Sequence, residues 1–360
     1  MRLWGWVLLG LLVPVTAVAL VLLARKPDGS PLAPSLYWGV CQTNDEISAG
    51  TRLKIESAAQ GFLDLIVRTP LEARSEMSEA GKSVASDPAQ FEILAASYLS
   101  NPALGPPRAT ETYLLRIVGG VEDGERVPCD PIDGRAVFVS PGGTPMSAVV
   151  ILIEDLPGAS QRATAVWLEL EGKEWRVRAL SPSWSQLGGR NSRQLWDDAQ
   201  RERKRGHDFN AALLYGAARG TLWRGPFYQA RLAQDFNADL QSFVAPELVR
   251  GAPPFKWTFG PDDYQVTKVE YSMVGDGGKV LFIQHTLATW SDERAAELVN
   301  RRLIDSFVAA YPEWREEFDA VAARAVKEGG SQNWGTVFEK VGGYTKSLAP
   351  PPSGPAAPPP

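Results

Sequence analysis

Chemistry in this chain would have to come from very few reactive side chains. Among 360 residues there are two histidines, His207 and His285, and two cysteines, Cys41 and Cys129. Acid–base work shared by the histidines would need two distant segments to converge. His207 adjoins Asp208 at a predicted turn between helices, where Asp208 most simply caps the second helix. His285 stands between Gln284 and Thr286 in a predicted strand and reads as a buried sheet histidine. Two distant cysteines make no zinc site without those same histidines. Adjacent acids occur at Glu154-Asp155, Asp197-Asp198, Asp262-Asp263 and Glu316-Glu317. Hydrolases built on carboxylates set their pairs by space, and sequence neighbours rarely face one cleft. Each pair reads as a solvated element end. No nucleophile elbow, phosphate loop, dinucleotide fingerprint, HExxH or CxxC is present. The expectation is no catalytic residue, no metal ligand and no cofactor.

Three other residue groups carry information. Cys41 and Cys129 fit one bridge in an oxidising compartment or two idle thiols in a reducing one. A bridge would close a loop worth about 4 kcal/mol in the chain-entropy model. Ten of the twelve tryptophans lie beyond residue 26, and tryptophan stacks on sugars or fills peptide pockets. Trp167 stands out, because strand alternation sets it opposite Val166, Leu168 and Leu170. Trp167 and Tyr113 are the candidate ligand or partner contacts.

The elements that would position these residues begin at a membrane. Leu3 to Ala24 are 22 uncharged, mostly apolar residues. As a helix they span about 33 Å, enough for a hydrocarbon core of about 30 Å. Ala17-Val18-Ala19 has the small-x-small form of a signal cleavage site, so a removed leader stays open. A cut there would leave Leu20 to Ala24 on the mature end, which favours an uncleaved anchor. Arg2 on one side and Arg25 with Lys26 on the other nearly tie for orientation. An N-terminal anchor ahead of a long globular segment predicts translocation. The expected location is membrane-anchored and extracytoplasmic, periplasmic in a bacterium. With Arg2, Arg25 and Lys26 set aside, 34 basic residues face 42 acids, a balance of −8 over 27–360. That argues against nucleic acid and anionic lipid as partners.

Residues 1–26 are thus read as anchor or signal, and 27–45 as a Pro- and Gly-punctuated linker. Helices follow. Ile55, Ala59, Phe62, Leu63 and Ile66 recur at helical spacing, a polar helix is expected through 72–82, and Ser86-Asp87-Pro88 opens a third with Phe91, Leu94, Ala95, Tyr98 and Leu99 inward. The period then changes to two, giving strands over 112–118, 135–140, 148–153, 164–170 and 175–180. Turns fall at Gly119-Gly120, Gly142-Gly143, Pro157-Gly158 and Gly172-Lys173. A helical segment occupies 183–250. A small α+β domain occupies 251–345, with a hairpin at 275–278, a helix capped by Ser291 and a further helix from Pro312 through Lys327. The tail 346–360 is proline-rich and expected to be irregular.

Helices followed by an antiparallel sheet closing on the hairpin EGKEWRVRAL make residues 46–182 resemble the nuclear-transport-factor-like α+β superfamily. The resemblance implies a cone that holds a small ligand or serves as an inert accessory module. Gly206, Phe209, Ala211, Tyr215 and Ala218 make residues 190–226 resemble one tetratricopeptide hairpin, in which glycine lets two helices approach. One hairpin is not a solenoid, which needs about three repeats. The basic run Arg201-Glu202-Arg203-Lys204-Arg205 reads as a solvated helix end.

The expected protein is α+β: a membrane helix, a helix-then-antiparallel-sheet domain over 46–182, a helical insert, and a second small α+β domain. Its expected function is non-enzymatic, through contact with other proteins or assembly of a complex. A small-molecule binder or enzyme using the 46–182 cone, and a cytoplasm-facing adaptor, are the alternatives.

Overall fold

The computed structural model describes residues 38–345, apart from 86, 88, 119–122, 130–135, 142–144, 275–276 and 330–331. The 3–24 apolar stretch, the start of the linker, the turns at 119–120, 142–143 and 275–276, and the tail lie outside the described residues. Among those described, no helix is long and apolar enough to cross a membrane. The protein is α+β, with three sheets among the described residues, and it divides into two compact units. The first comprises residues to 156, 161–185 and 222–238; the second comprises 157–160, 186–221 and residues from 239 on.

In the first unit, strand β1 (Trp38–Thr43) precedes four helices, α1 (Ala49–Arg68), α2 (Pro70–Ala73), α3 (Glu79–Val84) and α4 (Ala89–Ser100). Ser48 caps α1 by accepting from the Thr51 amide, and Ser78 caps α3 by accepting from Gly81. Strands β2 (Arg108–Val118), β3 (Asp123–Cys129), β4 (Ala136–Pro141), β5 (Met146–Leu156), β6 (Ser160–Glu171) and β7 (Glu174–Gln186) follow. Five of them form a sheet in the order β1-β2-β5-β6-β7, and β3 and β4 pair with β8 (Tyr228–Ala230) in a second sheet.

The five-stranded sheet is buried on both faces. On one, Ile55, Phe62, Ile66, Phe91 and Tyr98 from the helices pack against Leu114, Val150, Val166 and Leu168. On the other, Tyr113, Val149, Ile151, Ala165 and Trp167 pack against Val127, Phe138 and Phe227. This explains why β5 reads as an unbroken apolar run, since a strand covered on both sides loses the polar alternation. The α1 stripe is buried as its spacing predicts. Leu99, expected inward, is 62% exposed. The polar helix expected through 72–82 is broken into α2, a 3-10 turn and α3.

One correction and one further observation concern the edges of this sheet. The linker expectation for 27–45 fails from Trp38 onward, because β1 pairs antiparallel with β2 from Trp38↔Val118 to Thr43↔Tyr113. The signal was invisible locally, because the partner of β1 comes some seventy residues later. The far edge, β7, is covered rather than bare. The Ser78 amide donates to the Val177 carbonyl at 2.9 Å, and Met77 forms a bridge with Val177. Such covering removes a template for strand addition.

The second unit contains helices α5 (Ser192–Lys204) and α6 (most of Asp208–Leu222), and helix α7 (Leu232–Leu240) ends within it. Its six-stranded sheet runs β14-β13-β12-β11-β10-β9, built from β9 (Phe255–Phe259), β10 (Asp262–Val274), β11 (Gly278–Leu287), β12 (Ala320–Lys327), β13 (Asn333–Glu339) and β14 (Gly343–Tyr344). Helix α8 (Glu293–Ala310) links β11 to β12, which lie parallel, as a crossover connection requires. Asp292, not Ser291, caps α8 by accepting from Ala295. The helix expected over 312–327 is overturned: only α9 (Trp314–Glu317) is helical, and 320–327 is strand β12. Trp314, Phe318, Val321 and Ala325 do have helical spacing and are all buried. A central strand walled on both faces by neighbours accepts alanine, and tertiary context overrode local propensity.

The α5–α6 turn corrects two further expectations. Gly206 has φ +80°, and an added Cβ would meet nothing within 4 Å. Its amide bonds the Arg203 carbonyl while the His207 amide bonds Glu202, a Schellman ending that needs the left-handed conformation. The glycine serves the turn rather than a close helix approach. The His207 carbonyl, not the Asp208 side chain, begins α6 by accepting from Ala211 at 3.0 Å.

Candidate functional site

The residues singled out from sequence gather in one place. Cys41 and Cys129 form a disulfide with Cα atoms 5.3 Å apart, tying edge strand β1 to β3. Cys129, Tyr113 and Trp167 belong to the core between the two sheets of the first unit, and Cys41 packs against it. Tyr113 lies 4.8 Å from the Phe138 ring, Phe138 lies 6.2 Å from Trp167, and Trp167 lies 5.3 Å from Phe227, all edge-on. Trp167 has no exposed surface and Tyr113 is 5% exposed. The Trp167 indole Nε1 has no hydrogen-bond partner. The rings fill the space beside Trp167 with each other.

Polar groups rim this core. The Tyr113 hydroxyl donates to Glu111. The Arg224 guanidinium donates to the Ser183 hydroxyl at 3.2 Å and to the Trp184 and Trp223 carbonyls at 3.1 and 2.9 Å. Burial pulls the Arg224 pKa below its usual value, partly offset by Tyr228, Glu111 and Tyr113. Gly225 has φ +101°, and a Cβ there would lie 2.7 Å from the Ser181 Cβ. Glycine at 225 and small residues on β6 and β7 let this segment lie against the sheet.

Sequence reasoning missed a surface feature of the same unit. An open groove of about 510 Å³ runs between α1 and the β6–β7 hairpin, with Leu53, Ser57 and Ala58 on one side and Lys173, Trp175 and Arg176 on the other. Leu53 is 65% exposed. Arg176 is held among acids, 2.8 Å from Glu174, 3.6 Å from Glu76 and 3.9 Å from Glu171. The available signal was a tryptophan two residues past a tight hairpin turn.

In the second unit the histidines serve structure. The buried His285 Nε2 lies 2.7 Å from Asn300 Oδ1, and Asn300 Nδ2 donates to the Trp334 carbonyl and the Thr336 hydroxyl. Burial pushes the His285 pKa down. His207 Nδ1 lies 2.9 Å from Glu202, which also accepts from Asn210 and Arg205. Burial raises the Glu202 pKa, but those hydrogen bonds and the charges of His207 and Arg205 outweigh it and hold it below the usual range. Arg190 joins Asp198, Glu317 and the Tyr271 hydroxyl. Among the described residues, no group of three or more His, Cys, Asp or Glu side chains is placed to hold a metal ion.

No protein-family model, no curated protein and no solved structure matches this chain.

Proposed function

We propose that this chain is a membrane-anchored, extracytoplasmic protein that acts through contact with other proteins, without chemistry of its own. The filled interior beside Trp167 carries the reading against a small-ligand chamber. A cone that served a ligand would leave room near its aromatic and polar lining, and here rings occupy that room. The Cys41–Cys129 bridge supports an oxidising compartment, and the length and apolarity of 3–24 support a membrane anchor. Helices followed by antiparallel strands support the nuclear-transport-factor-like layout for 46–182, with the filling of both sheet faces as a departure. The α5–α6 pair supports a single repeat-like hairpin, with Gly206 used differently from a tandem repeat.

The groove beside Trp175 is the surface we assign to a partner. It combines an exposed leucine, a half-buried tryptophan and a charged rim, the make-up of a contact anchor. A photo-crosslinking residue at Ser57 in the full chain tests this. A discrete protein adduct that disappears with Trp175→Ala supports the reading. Absence of any adduct, together with a small molecule retained in native mass spectra of the purified protein, contradicts it.

A further inference from the structure

The chemistry of the groove beside Trp175 narrows what it takes. Its apolar part is reachable. Leu53 is 65% exposed, and the half-buried Trp175 packs in part against the core while still lining the groove. A ring held from one side offers a flat apolar contact and loses little freedom on binding. The Trp175 indole N–H has no hydrogen-bond partner among the described residues.

The rim is charged but balanced. Lys54, Lys173 and Arg176 are matched by Glu76 and Glu174 in the lining and by Glu171 next to Arg176. Glu76, Glu171 and Glu174 all lie within 3.9 Å of Arg176. A rim of that kind favours neither an acidic nor a basic ligand. The exposed leucine, the indole donor and the balanced rim together call for an uncharged segment with open carbonyls.

The chain carries such a segment. From Ser347 to Pro360 there is no charged side chain, and prolines recur at 352, 355 and 358. Proline favours the polyproline II form, with three residues per turn and no internal hydrogen bonds. In that form Pro352, Pro355 and Pro358 share one edge, and the backbone carbonyls stay open to a donor. Proline also restricts the free chain, so docking loses less entropy. The fifteen residues after Thr345 reach about 47 Å in that form.

We propose that the Trp175 groove takes the proline-rich segment 347–360 of this chain, with proline rings on Trp175 and Leu53 and a backbone carbonyl on the indole N–H. The inference rests on the assignment of this groove to protein contact and adds the chemistry of what it binds. Aromatic-lined grooves take proline-rich segments in this way. An open groove suits an extended chain better than a small molecule, which its site largely encloses. A partner that uses the groove must then displace this segment.

The test titrates the full chain in detergent with a fluorescent peptide of residues 347–360, read by anisotropy. A second titration uses the full chain carrying Pro352→Ala, Pro355→Ala and Pro358→Ala, which disables its own segment. Saturable binding is expected, tighter to the triple variant than to the native chain and insensitive to added salt. In the triple-variant background Trp175→Ala should weaken it by about tenfold or more, and Leu53→Gln should weaken it as well. A peptide with the same three proline substitutions should not bind. Unchanged melting of Leu53→Gln, at an exposed position, shows that its loss is not misfolding. A photo-crosslinking residue at Ser57 in the native chain should give an adduct containing residues 347–360. No saturable binding, or equal binding to the native chain and the triple variant, overturns the proposal. Binding unchanged by both Trp175→Ala and Leu53→Gln overturns it too. A Ser57 adduct to a different protein, with no binding of the peptide, would show that this inference is wrong and the protein-contact reading stands.

Discussion

Gly81 lies against the Arg178 carbonyl so closely that a Cβ on it would sit 2.8 Å from that oxygen and 2.9 Å from the Val177 oxygen. Helix α3 thereby rides on the outer edge of β7, with the Ser78 amide bonded to Val177. Backbone cannot yield as a side-chain tip does. Gly81→Ala is expected to cost about 1–3 kcal/mol and to expose the β7 edge. Urea denaturation measures the first effect, and amide exchange at Val177 and Arg178 measures the second. Unchanged protection at those amides would contradict the account.

The Cys41–Cys129 bridge spans 88 residues of sequence and holds β1 on the sheet. Removing it by reductant or by Cys129→Ala should destabilise the first unit by about 4 kcal/mol in the chain-entropy model. Denaturant midpoints with and without reductant read this directly. Cys129→Ala with reductant should show no further loss.

Arg162 and Glu154 form a buried pair, 2.8 Å apart with side chains 9% and 8% exposed. Arg162 also lies 3.9 Å over the Tyr98 ring and donates to the Asn101 carbonyl, which fastens the end of α4 to the sheet. Arg162→Ala strands a buried carboxylate and is expected to cost about 3–5 kcal/mol. The double variant Arg162→Met with Glu154→Leu should cost less than the single one. Additive losses in the cycle would show that the two side chains are not coupled.

His285 gives the second unit a pH dependence of definite sign. Its folded pKa lies below the ordinary 6.5 because it is buried, so the neutral ring is the folded form. Its contribution is fully present above the unfolded pKa. As pH falls below about 6.5 the unfolded chain takes up the proton first. Stability should therefore fall through this range, by up to about 1.4 kcal/mol per pH unit for one group. The groups against the ring are Asn300 and Tyr264, neither a charge that would reverse the sign. Melting of His285→Gln between pH 7 and pH 5 should be flatter than that of the native chain.

Legibility from sequence followed how many faces an element buries. Helix α1 hides one face, and Ile55 to Ile66 gave it away. The β6–β7 hairpin was legible because glycine at 172, with φ +65°, permits the turn. Strand β12 hides both faces, so its alanines carried no period of two and imitated a helix. Strand β1 is defined by β2 and by a cysteine far along the chain, which no local window contains. Trp167 was placed on its face correctly, yet alternation cannot say whether that face meets a ligand, water or a second sheet. The Trp175 groove arises from a helix and a hairpin that are distant in sequence and brought together, so it has no contiguous signature.

The most direct test of the central claim is the protease accessibility of a short epitope placed after Pro360, in intact cells with any outer barrier opened. The account predicts loss of the epitope while the membrane carrying the protein stays sealed. Protection until that membrane is lysed would contradict it, placing the units in the cytoplasm and favouring an anchored adaptor there.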